Sequence, residues 1–119
     1  MTHASFKAGE ITAVIGNNAP QGSSHRGGYN GVWDFRHRTS TRSLFVPAYA
    51  GLNFEHIFNG ETEFVNNDVF FEPRLAPMTF TKLNERQAEL HQPATPTFHV
   101  ESTTRFTLRA PWYLDLDFR

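Results

Sequence analysis

Cysteine is absent from the 119 residues, which excludes disulfides, thiolate metal sites and cysteine nucleophiles. No stretch approaches the roughly 18 consecutive apolar residues that a membrane helix needs. The opening MTHASFKAGEITAVIG also lacks an apolar segment of signal-peptide length. The expectation is a cytoplasmic chain with no membrane partner. Charge of one sign is missing too: 11 Lys and Arg balance 12 Asp and Glu for a formal charge of -1, so nothing favours nucleic acid. No long segment carries a convincing helical period, although LNFEHIF can pass for a short helix. Internal repeats, P-loops and the motifs G-x-G-x-x-G, G-x-S-x-G and H-E-x-x-H are all lacking, so hydrolase and nucleotide readings have no residues to start from.

What the chain has is aromatic bulk: Phe occurs 12 times and aromatics reach 14 %, side chains that suit a pleated surface better than a helix. The length is enough for one core between two packed layers, so residues 1–119 are expected to form a single all-β, antiparallel β-sandwich domain. Strands are expected over Glu10 to Ile15, Tyr29 to Arg38, Ser43 to Val46, Leu52 to Phe58, Val69 to Glu72, Met78 to Leu83, Ala88 to Gln92, His99 to Leu108 and Trp112 to Phe118. GNNAPQGSSHRGG is loop, Pro47 marks an edge or bulge, and NERQ and Asn59-Gly60 are turns. Period-two alternation puts Trp33 and Phe35 on one inward face. In the last run it puts Trp112, Leu114, Leu116 and Phe118 inward, against Tyr113, Asp115 and Asp117.

The segments GYNGVWDFRHR, RSLFVPAYAGLNFEHIFNG, FEPRLAPM and AELHQPATPTFHVESTTRFTL carry a resemblance that spans residues 11–119. The chain resembles the opening half of bacterial proteins similar to the galactose-mutarotase-like (aldose 1-epimerase-like) superfamily. That resemblance implies part of a large antiparallel β-supersandwich, a concave sheet face able to hold a sugar, and a missing C-terminal half. The acid and base of such epimerases, a His and a Glu, belong mainly to the later strands, so no catalytic residue is carried over and no cofactor is implied.

Sugars are held by amides, carboxylates and guanidinium groups on vicinal hydroxyls and by aromatic rings on the apolar C–H face. The residues that fit are Asn53, Glu55 and His56 in GLNFEHIF, Arg74 at a strand end, Gln92, Phe98 as an exposed platform, and Glu101 with Arg105. Each has a plainer reading. Asn53 and Glu55 suit the wet side of an antiparallel sheet, Glu101 and Arg105 suit surface ion pairs, and Trp33 and Trp112 suit the core. Ser23, Ser24 and His25 can imitate an anion nest but read better as flexible loop. The six histidines show no metal-ligand spacing. Three functions follow: carbohydrate binding without catalysis by this chain; a structural or assembly sandwich, with a second copy as partner; and, more faintly, a cupin-like metal barrel.

Overall fold

Short β-branched and aromatic runs separated by Gly, Asn and Pro build strands joined by tight turns. The structure, a computed structural model, describes residues 1–22, 27–63 and 66–119. Among these the elements run β1 (His3–Ala8), β2 (Ile11–Gly16), β3 (Gly31–His37), α1 (Asn67–Phe70), α2 (Glu72–Leu75), β4 (Thr79–Asn84), β5 (Gln87–Gln92), β6 (Ser102–Arg109) and β7 (Tyr113–Phe118). All pairings are antiparallel, in a three-stranded sheet β1-β2-β3 and a four-stranded sheet β4-β5-β6-β7. The architecture is an all-β sandwich. Ser23, Ser24 and His25 lie outside the described residues.

Alternation fills the space between the sheets. Phe6, Ala8, Ile11, Ala13, Ile15 and Val32 from one sheet form a continuous cluster with Phe80, Ala88, Leu90, Phe106 and Leu108 from the other. Phe6 meets Phe80 edge-on at 6.4 Å. Each such aromatic contributes about 1.5–3 kcal/mol by leaving water.

The expected facing of β3 needs correction. Val14 pairs with Asp34 but Ile15 pairs with Val32, which leaves Trp33 as the extra residue of a bulge. The bulge resets the alternation, so Val32 and Phe35 point to the core while Trp33 turns to the outer face. There it is 9 % exposed, stacked on His3 at 4.8 Å. Its indole fills the place a side chain on Gly16 would take, 2.3 Å from a Cβ built there.

Other expectations also fail for physical reasons. β1 escapes the sequence reading because its inward residues, Ala4, Phe6 and Ala8, are mostly weak strand formers. Ser43 to Val46 and Leu52 to Phe58 are irregular: Pro47 has no N–H to give, and Ala48 and Leu52 take positive φ of 67° and 51°. The segment instead caps the free edge of β3, through Leu44 N donating to the Phe35 carbonyl and a reciprocal Val32–Gly51 pair. Val69 to Glu72 is helical, because Asn66 caps α1 by accepting from Val69 N at 3.0 Å and Pro73 opens α2.

In β7, Leu114, Leu116 and Phe118 lie opposite Leu108, Phe106 and Thr104 and share their inward side. Leu114 packs on the core, yet Leu116 is 38 % and Phe118 40 % exposed, and Trp112 is 56 % exposed in the turn before the strand. The four-stranded sheet is one strand wider than its partner, and β7 is that outermost strand.

Candidate functional site

Helices of four residues cannot hold themselves, so α2 depends on tertiary hydrogen bonds. Asn18 Nδ2 donates to the Pro73 and Ala76 carbonyls at 3.0 and 2.7 Å, and Gln92 Nε2 donates to the same two at 3.0 and 3.2 Å. From the other side, the buried Glu72 carboxylate accepts from Thr97 N at 2.8 Å and Phe98 N at 3.2 Å. Burial pushes the Glu72 carboxyl up. Hydrogen bonding with Thr97 and the two backbone N–H groups, helped by the nearby Thr95 hydroxyl, outweighs that, and its pKa ends below the ordinary value. The Thr95 hydroxyl is buried beside the carboxylate, near enough to favour its charged form but outside hydrogen-bond geometry with any described residue.

This clamp fixes the position of Arg74. Its guanidinium carbon stands 4.4 Å from the Tyr29 ring centre and 5.2 Å from that of Phe71. Its Nε presses on Gly28, where a Cβ would come within 2.8 Å and where φ is +92°, so only glycine fits. Nη2 reaches the Gly27 carbonyl at a long 3.5 Å. Arg36, Arg38, Arg105, Arg109 and Arg119 each pair with a carboxylate. Half-buried Arg74 pairs with none among the described residues. It lines an open cleft of about 570 Å³ with Asp68, Asn67, Asn18 and Phe71. Asp68, in the first turn of α1, likewise forms no ion pair among the described residues.

Phe71 also joins Arg74 to His56, whose ring packs on Phe70 at 4.1 Å and on Phe71 at 4.6 Å. The His56 Nδ1 lies 2.8 Å from the Phe70 carbonyl, which can only accept. The neutral imidazole is therefore protonated at Nδ1 and presents the Nε2 lone pair.

Of the residues expected from sequence, His56, Arg74, Gln92 and Phe98 gather around α1 and α2. Phe98 corrects its expected role: it is 1 % exposed, covered by Phe58 at 5.1 Å, and holds Glu72 through its N–H. Gln92 is buried and acts on the α2 carbonyls, leaving its own Oε1 without a partner among the described residues. Asn53 donates to the Ala50 carbonyl at 2.7 Å within its own loop, and half-buried Glu55 stays in the same irregular segment. Glu101 pairs with His91 at 2.8 Å and Arg105 with Glu89 at 2.7 Å, so these two sit among surface ion pairs rather than in the cleft. Sequence reasoning missed Tyr29, Phe71, Asp68, Asn18 and Glu72. The signals nearest to them are Asn66 as a helix cap and Glu72-Pro73 as a helix start, which bound the stretch Val69 to Glu72 that reads as strand.

Among the described residues no three His, Asp or Glu side chains converge as metal ligands, and no helix is long and apolar enough to cross a membrane. Fold and cleft together define a class: an all-β sandwich with a polar and aromatic cleft beside a clamped helical connector. No protein-family model, curated protein or solved structure matches the chain.

Proposed function

We propose that this chain is a carbohydrate-binding β-sandwich related to the aldose epimerase-like proteins, taking a neutral sugar in the Arg74–Asp68 cleft without completing a reaction by itself. One observation carries the reading: a guanidinium and a carboxylate line one cleft, and neither is spent on an ion pair among the described residues. A hydroxyl both donates and accepts, so vicinal hydroxyls satisfy the two walls at once, Arg74 donating and Asp68 accepting. Phe71 supplies an aromatic surface, and Leu75 and Pro77 apolar ones, for the C–H face. Hydrogen bonds to charged groups contribute about 1.5–3 kcal/mol each, so two give affinity on the order of millimolar.

Calorimetric titration with a panel of aldohexoses tests this. Asp68 is exposed, so Asp68→Asn leaves the fold intact and is expected to weaken binding about tenfold. Arg74→Lys is expected to do the same by losing the planar fork. A panel without heat, or binding indifferent to both substitutions, rejects the proposal.

A second reading, an assembly module whose partner is a second copy, is favoured by β7. Its edge, unpaired among the described residues, and its half-exposed Leu116 and Phe118 invite another strand. Two-fold antiparallel pairing about Leu116 would set Leu114 across from Phe118 of the second copy, apolar against apolar.

A further inference from the structure

The outer face of a sandwich sheet is ordinarily wet, yet the outer face of β1-β2-β3 buries a tryptophan. The bulge opposite Val14 and Ile15 turns Trp33 out of the core, Gly16 makes room for its ring, and His3 covers it at an interplanar angle of 28°. Trp33 Nε1 donates to the Tyr29 carbonyl at 3.0 Å, which fixes the indole in its plane. Residues 41–48 rise beside this platform. Ser43 Oγ accepts from Phe35 N and Phe45 N at 3.1 and 3.2 Å, and the Phe45 ring stacks on Phe35 at 6.2 Å. Between platform and flank lies a cleft of about 850 Å³, separate in its lining from the Arg74 cleft.

The lining has two parts. Val14, Phe45 and the exposed edge of Trp33 are apolar. The charges are Asp34, Arg36 and Arg42. Asp34 holds Arg36 Nε through both carboxylate oxygens, at 3.0 and 2.9 Å, and Arg36 Nη1 donates to the Thr41 carbonyl at 2.8 Å. That pair is neutral as a unit, whereas Arg42 forms no ion pair among the described residues. The cleft therefore offers an apolar patch of Val14 and Phe45 within a mixed lining, with the Arg42 guanidinium at its rim held in no ion pair among the described residues.

We infer that this second cleft binds a flat ring compound carrying a single carboxylate, with the ring against Val14 and the edge of Trp33 that His3 leaves open, and the carboxylate on Arg42. This site is independent of the sugar cleft. An exposed guanidinium discriminates modestly, so the anion is worth about threefold to fivefold in affinity over a neutral ring of the same shape.

The test uses 2-naphthoate and neutral 2-naphthalenemethanol, read by fluorescence of a Trp112→Phe protein in which Trp33 is the remaining tryptophan. Both probes are expected to quench Trp33, naphthoate about threefold to fivefold more tightly, and Arg42→Gln to remove that difference while sparing the neutral probe. Val14→Phe, which fills the floor, is expected to abolish both; if that protein fails to fold, the Arg42→Gln comparison decides. Absence of quenching by either probe, or equal affinities before and after Arg42→Gln, overturns the assignment.

Discussion

Gly16 shows how much one missing side chain can determine. The residue has an ordinary strand conformation, so nothing in its own backbone demands glycine. The demand comes from Trp33, which a Cβ on Gly16 would meet at 2.3 Å. Gly16→Ala must therefore displace the indole from His3, at a cost of about 1–3 kcal/mol typical of overpacking. Urea denaturation is expected to show that loss together with a red shift of the tryptophan emission; unchanged stability would mean that the ring is not held there. The indole's position was not legible in the sequence. Perfect alternation in VWDFRH paired Trp33 with Phe35, and a bulge depends on which residue of the neighbouring strand is skipped, which alternation within one strand does not encode.

α2 illustrates the same point for a whole element. Its clamp is assembled from Asn18, Gln92 and Glu72, residues up to 74 positions apart in sequence, and only the tertiary fold brings them to one four-residue helix. Glu72 titrates with a lowered pKa in the folded chain, so its stabilisation is complete above the ordinary glutamate range. It is lost as pH falls through the lower folded value. Glu72→Gln is expected to cost about 1.5–3 kcal/mol at neutral pH and to flatten the acid limb of the stability curve. Glu10, whose pKa is lowered by hydrogen bonds with His37 and then Arg38, slopes the same way but lies at the surface. Glu10→Gln is therefore the control expected to change the curve less. Equal effects from the two substitutions would contradict the clamp. The hairpin at Glu85-Arg86 and the alternation of β6 were legible, because a tight turn and a one-sided strand are local patterns. The helices were not: the aromatic run Val69 to Glu72 reads as strand, and the Asn66 cap and Pro73 that bound it did not enter that reading.

For the whole molecule, the unequal widths of the two sheets leave the inward face of β7 partly exposed. The strand with the cleanest alternation in the sequence, β7, is the one whose inward face is left half-covered, with Phe54 stacked on Phe118 at 3.9 Å as its visible partner. Alternation reads which side is apolar; it does not read whether a second layer lies over it. Sedimentation equilibrium is expected to show a dimer that Leu116→Lys returns to monomer, because a charge in this half-exposed apolar row would be buried against the apolar row of the second copy. A wild-type monomer at all concentrations would remove the assembly reading and leave β7 as an ordinary edge.

The gathering of His56, Arg74, Gln92 and Phe98 was only partly legible. The residue types were readable, while their roles depended on α2: Arg74 faces the cleft, and Gln92 and Phe98 stand behind it. The most direct test of the sugar cleft is amide chemical-shift mapping during a titration with galactose and glucose. The proposed function predicts that shifts concentrate at Gly27, Gly28, Asn67, Asp68 and Phe71 and vanish in Asp68→Asn. Shifts confined to the outward row of Glu89, Arg105 and Asp117, or none at saturating sugar, would contradict it.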